Sequence, residues 1–282
     1  MHPPKFLSEL LPKPWGEHSE TEKVFFKVFI SYAAADAFGA FYEFSGAPED
    51  VPNQLKSKQG WPHGGITDDT MLTILTLISL DTSTPNAAAL KFLELLKENI
   101  NSLRGLGPTT RNALGLEVKP REIESVGITN GGLMRTCLVA MAFKEKSERD
   151  NWLSSLVRVT HKGEVAIRCA LEVGDLIHNS SLLKSDSDLN SSPNGVSNSS
   201  EETLSAVHAI LANSKSLEEV MRCACGLGGD TDTTAAVSSA IYSFWNNESD
   251  EVFALPWLSE VNWSELKHAP SALEALYRRA RA

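Results

Sequence analysis

At 282 residues the chain is long for one domain but within range of one, and a core of that size buries about three quarters of its unfolded surface. Its 26 Lys and Arg against 36 Asp and Glu give a formal charge of −10, a balance that argues against a nucleic-acid-binding surface. No segment reaches the ~20 apolar residues of a membrane span, and Cys137, Cys169, Cys223 and Cys225 form neither a zinc pattern nor a secreted disulfide framework.

Residues 1–20, broken by Pro3, Pro4, Pro12 and Pro14, read as an irregular lead-in without the charged-then-apolar pattern of a signal. The expected location is therefore cytoplasmic, and the Asn-x-Ser triplets at Asn198, Asn247 and Asn262 are accidents of composition. The body, 21–282, begins with a run from Glu22 to about Tyr42 that is apolar on nearly all sides, which marks a helix at the centre of a bundle. The stretch Thr70–Leu80 has strand-like residues, but its length and lack of strict alternation favour a helix.

Apolar residues at three- and four-residue spacing place further helices at Ala87–Leu103, Asn151–Thr160, Glu164–Ile177, Thr203–Ala212, Ser216–Ala224 and Thr233–Trp245. Ser216-Leu-Glu-Glu219 reads as a capping box, and Cys223-Ala-Cys225 as core packing in a small-residue helix. Between these helices, 179–200 is dominated by Ser, Asn and Asp and reads as a flexible surface insertion, a tolerated loop or a lid. Strand signals are almost absent. The expected fold is all-α, one compact domain of orthogonally packed helices.

Two acidic clusters carry the chemistry: Thr67-Asp68-Asp69-Thr70 and Asp230-Thr231-Asp232-Thr233. Each follows a Gly-Gly pair and opens an apolar helical stretch. One cluster alone reads as a helix cap, since Asp and Thr satisfy free N–H groups and face the positive end of the dipole. Four carboxylates in two such places carry a repulsion that capping does not need. Asp and Thr oxygens at this density suit hard cations such as Mg2+ or Mn2+, so the pair reads as two halves of a binuclear site. An EF-hand does not fit, because Ala235 stands at its glycine position and Ile241 at its glutamate position. A D-D-x-x-D box fails at Leu72.

Three more segments join them: Ala35-Asp36-Ala-Phe-Gly39-Ala-Phe-Tyr-Glu43, Arg104-Gly-Leu-Gly107-Pro-Thr-Thr-Arg111, and Thr129-Asn130-Gly131-Gly132-Leu-Met-Arg135 followed by Thr160-His161. In this order the chain resembles the ADP-ribosylglycohydrolase family, which includes dinitrogenase-reductase-activating glycohydrolases and ADP-ribosyl-serine hydrolases. The motifs run from about residue 25 to residue 245, roughly four fifths of the chain.

The resemblance implies an all-α fold with two Mg2+ (or Mn2+) ions at the bottom of a cleft. Thr67, Asp68, Asp69, Asp230, Asp232 and Thr233 match the metal ligands. Gly105, Gly107, Thr109, Asn130, Gly131 and Gly132 match loops along the ADP-ribose groove, and His161 a position near it. Glu43, Asp68 and Asp232 are the candidate catalytic residues, with the general base either Glu43 or an Asp of the second cluster. Each match has a plainer alternative: His161 as a capping or core histidine, Glu43 as a rim carboxylate, Gly131-Gly132 as a helix-entry turn rather than an anion nest. Two positions depart from the family pattern, Ala35 for a common Gly and Thr129 for the Gly that usually precedes the Asn.

The implied reaction is removal of ADP-ribose from an ADP-ribosylated protein or small molecule by water attack at ribose C1″. A modified nucleic acid would enter only as a substrate. The rivals are a non-catalytic, ADP-ribose-binding or crystallin-like relative and a glycohydrolase of another ribosyl compound. The acceptor, the choice of ion and the oligomeric state leave no mark in the sequence.

Overall fold

The computed structural model describes residues 2–184 and 194–282. Ser19 and Glu22 start the first long helix reciprocally: the Ser19 hydroxyl accepts from the Glu22 amide at 3.3 Å, and the Glu22 carboxylate accepts from the Ser19 amide at 2.7 Å. Helix α1 then runs Glu20–Gly39 and is buried around its whole circumference from Phe25 onward. The others are α2 Asp68–Ser79, α3 Pro85–Asn99, α4 Pro108–Ala113, α5 Gly131–Ala140 and α6 Lys146–Arg158. They continue with α7 Glu164–His178, α8 Ser200–Asn213, α9 Leu217–Leu227, α10 Thr231–Trp245 and α11 Ala269–Arg281. No strand forms among the described residues, only the single bridge pairs Thr129–Ser199 and Val196–Gly229.

The expected all-α class is the observed one, and the eight helices expected from periodicity are all present. Three were not expected. Helix α5 begins inside the Gly131-Gly132 motif, α4 is a short turn after Gly107, and α11 is an amphipathic helix opened by Pro270. The lead-in contains two 3-10 turns, Lys5–Leu10 and Trp15–Glu17, with Leu7 and Leu10 buried in the core.

At the centre, α1 packs along α10, while α2 is flanked by α5, α3 and α11. Small residues let the central pair approach closely: Ala33, Ala34 and Ala37 on α1, and Ala235, Ala236, Ser239 and Ala240 on α10, are all buried. Gly39 takes this to its limit. A Cβ there would lie 2.6 Å from both the Asp232 Cα and the Thr231 carbonyl oxygen, so α1 ends against the N-terminus of α10. Thr231 donates to the Gly39 carbonyl at 2.8 Å and pins that contact. Ala35 lies within α1, where a helical backbone gives a glycine no advantage.

Two local expectations need correction. Ser216 accepts from the Glu219 amide at 3.2 Å, but the Glu219 carboxylate reaches the Lys215 amide at 2.7 Å, so the cap at α9 is not reciprocal. The described ends of the stretch 179–200 are tied to the fold. Asn179 caps a 3-10 turn at Ser180–Leu182, and Val196 and Asn198 bond to both halves of the site; residues 185–193 lie outside the described residues.

Candidate functional site

Two helix N-termini, those of α2 and α10, converge beside the C-terminal end of α1. The capping reading holds for Thr67 alone: it is the N-cap of α2 and its hydroxyl accepts from the Asp69 amide at 3.1 Å. Asp230 stands at the N-cap of α10 but makes no capping bond there; its Oδ2 instead accepts from the Asn130 amide side chain at 2.8 Å. Asn130 also donates to Thr203 at 2.9 Å, which ties the start of α5 to α8 and to the second cluster.

Asp36 is the foundation of the first cluster. Fully buried in the last turns of α1, it accepts from the backbone amides of Thr67 at 3.3 Å and Thr70 at 3.1 Å, and from the Thr70 hydroxyl. Those bonds hold the first turn of α2 in place and leave Asp68 and Asp69 directed at the cleft. Burial pushes the Asp36 carboxyl up to about 6 despite the bonds it accepts.

Asp68, Asp69, Asp230, Asp232, Thr233 and Glu43 line one cleft of about 460 Å3. Oxygens of Glu43, Asp230 and Asp232 come within 4.8 Å of one another, a spacing at which they could hold one cation. Burial pushes the Asp68, Asp69 and Asp232 carboxyls well above the usual range, and neighbouring carboxylates add to the effect in each case. Burial also raises Glu43, with Lys58 opposing through an ion pair. Asp69 Oδ2 is buried with no hydrogen-bond partner. An orphaned anionic oxygen inside a ring of carboxylates costs free energy that a divalent cation removes, and an all-oxygen donor set of this kind fits Mg2+ or Mn2+.

The expected groove residues divide into two layers. Gly105, Gly107, Asn130 and Gly131 line the cleft. Gly105, at φ +91°, passes so close over Asp68 that a Cβ would lie 2.6 Å from Asp68 Oδ1. Thr109, Gly132 and His161 do not line it and stand behind the wall. His161 is completely buried; one ring nitrogen meets the Thr129 hydroxyl at 3.0 Å and the other the Thr160 hydroxyl at 2.8 Å. Thr129 also donates to Thr109 at 2.8 Å, and Thr109 accepts from the Gly127 amide at 2.9 Å.

Both nitrogens are thus engaged, one with Thr129 of the loop and the other with the neighbouring Thr160, which is the arrangement of a core histidine. Burial, helped by the nearby Arg135 charge, pulls its pKa down to about 3 and keeps it neutral. Arg135 itself is buried against Phe92, donating to the Leu156 carbonyl and to Thr160, and burial lowers it to about 9.

Several wall residues were not anticipated. Asn198 sat in the polar stretch read as an insertion, yet its carbonyl accepts from the Asn130 amide at 2.9 Å. Phe44 lines the cleft beside Glu43, 61% exposed and at φ 53°, its amide bonded to the Gly229 carbonyl. Arg111, Lys119 and Glu122 also line the cleft. Of these, Arg111 alone had a signal, as the last residue of the Gly105–Arg111 motif.

A model of the ADP-ribosylglycohydrolase family matches residues 19–192. No curated protein matches the chain. A solved structure described as an ADP-ribosylglycohydrolase-related protein complex superposes with a TM-score of 0.71 at 23% identity, covering 93% of this chain and 99% of that one.

Proposed function

The chain belongs to the ADP-ribosylglycohydrolase family, and from that premise we propose that it is a binuclear-metal-dependent hydrolase that releases ADP-ribose from an ADP-ribosylated acceptor. The observation that carries the reading is the meeting of Asp68 and Asp69 with Asp230, Asp232 and Glu43 in one cleft, from sequence positions some 160 residues apart. Thr67, Asp68, Asp69, Asp230, Asp232 and Thr233 would hold two Mg2+ or Mn2+ ions. When bound, such ions supply Lewis acidity that acidifies a water and anchors hydroxyl oxygens.

The remaining work falls to the chain. Asp36 fixes the first turn of α2, and Asn130 fixes Asp230, so the carboxylates are held before substrate arrives. Glu43, raised by burial and open to the cleft, takes a proton from the attacking water and returns it to the leaving group. The C1″ bond to the acceptor breaks as the bond to the water oxygen forms, through an oxocarbenium-like state. The Gly105 and Gly131 backbones offer close approach to the substrate because no Cβ intervenes. A cytoplasmic site of action belongs to the same proposal, supported by four free thiols. No helix among the described residues is long and apolar enough to cross a membrane.

The test is chromatography of ADP-ribose released from Arg-linked and Ser-linked peptides and from O-acetyl-ADP-ribose, with Mg2+, Mn2+ or EDTA. Metal-dependent release from one of them is expected. ADP-ribose binding without release from any would replace the hydrolase with a binder.

A further inference from the structure

The cleft is electrically lopsided. Its lining carries Glu43, Asp68, Asp69, Asp230 and Asp232 from α2, α10 and the turn after α1, whereas the only cationic side chains lining it among the described residues are Arg111 and Lys119. Both come from one short segment, α4 and the loop to the 3-10 turn Pro120–Ser125, and both face Glu122. The Arg111 Nη2 donates to Glu122 while its Nε is buried with no partner. The guanidinium therefore uses only part of its donor fork, and Glu122 is itself spread over Arg111 and the Lys119 amide.

Resting on the hydrolase reading above, we infer that Arg111 and Lys119 are the anion-recognising wall of the cleft and take the substrate's diphosphate, with Glu122 as the internal anion that the diphosphate displaces. A substrate whose ribose end goes to the metal-binding carboxylates must lay its anionic middle away from them, and this is the one wall that offers cations. A planar guanidinium released from Glu122 suits a phosphate oxygen pair, and Lys119 adds a mobile point charge. The arrangement fixes which way along the cleft the substrate lies. It also makes Glu122 a specificity element, because a ligand without an anion in this position gains nothing by breaking the Arg111–Glu122 pair.

Calorimetry with inorganic pyrophosphate in EDTA, and with ADP-ribose in Mg2+, on the wild type and on Arg111→Gln, Lys119→Gln and Glu122→Gln separates the outcomes. Charge-assisted bonds of this kind are worth roughly tenfold each, so Arg111→Gln should weaken ADP-ribose binding roughly tenfold, and Lys119→Gln, at an exposed position, by less. Glu122→Gln should strengthen it, an opposite sign that a damaged fold does not produce. The pyrophosphate affinities should follow the same order and fall with added salt. ADP-ribose bound equally by all four proteins would overturn the wall and leave the hydrolase standing. Pyrophosphate bound in the expected order without any ADP-ribose binding would leave the wall and remove the hydrolase. Binding of neither ligand by the wild type would overturn both.

Discussion

Replacing Asp232 by Asn should stabilise the metal-free protein and at the same time make it indifferent to metal. Asn keeps the shape, and its side-chain oxygen can still accept from the Thr233 amide as Asp232 Oδ1 does at 2.9 Å. What it removes is one charge from a set of three carboxylates whose oxygens lie within 4.8 Å. At an effective dielectric of 20, two unit charges that far apart repel by about 3 kcal/mol. Partial protonation of the raised carboxyls relieves some of this, so the expected gain in EDTA is on the order of 1–3 kcal/mol. For a protein of this size that is a rise in melting temperature of about 2–4 °C for each kcal/mol.

The wild type should respond oppositely to the ion. At a free Mn2+ concentration of about a thousand times the Kd, binding adds about 4.1 kcal/mol. Scanning calorimetry of both proteins in EDTA and in Mn2+ should therefore show the order of melting temperatures invert. If the variant melts below the wild type in EDTA and gains as much from Mn2+, repulsion among these carboxylates is not what the ion relieves.

Three further outcomes follow from other parts of the frame. The His161 imidazole, held down to about 3 by burial, stays neutral in the folded chain while the unfolded chain takes up its proton near the ordinary value of about 6.5. Its contribution is complete above 6.5 and drains as the pH falls toward 3, at about 1.4 kcal/mol per pH unit, so urea titrations of His161→Gln should show a shallower loss over that window than the wild type; parallel profiles would remove the histidine from the acid response. Gly39→Ala places a Cβ 2.6 Å from the backbone of α10 and should cost about 1–3 kcal/mol and weaken Mn2+ binding, read by chemical denaturation and calorimetry. Phe44→Gly relieves a positive φ at an exposed side chain and should leave stability equal or higher by about 1 kcal/mol while lowering turnover; a stability loss with full turnover would show that the backbone there serves packing instead.

What the sequence made legible was whatever is written in side-chain periodicity and composition. Helix α1 could be read as central because apolar residues surround it, and the two acidic clusters because their charges exceed what helix caps require. Helix α11 escaped because alanines make up half of its buried face and its opening residues, His268-Ala-Pro270, resemble a loop. The role of Val196 and Asn198 was invisible for a different reason. They join the Asn130 loop to Asp230 through main-chain bonds, and backbone donors and acceptors leave no trace in residue identity.

His161 shows the same limit from the other side. Its presence beside Thr160 is plain in the sequence, but its direction depends on Thr129, thirty-two positions earlier, which occupies one of its nitrogens. Thr129, an odd residue for a substrate loop, has its hydroxyl engaged inward with Thr109 and His161. The charge make-up of the cleft was equally hidden, since Arg111 and Lys119 are ordinary surface cations until folding sets them in one cleft with the carboxylates.

The most direct test of the binuclear site is an anomalous-difference map from crystals of the wild type soaked in Mn2+. Two peaks are expected in the cleft, one among Asp68, Asp69 and Thr67 and one among Asp230, Asp232 and Thr233, with carboxylates shared between them. A single peak, or none within reach of both clusters, would contradict the binuclear centre.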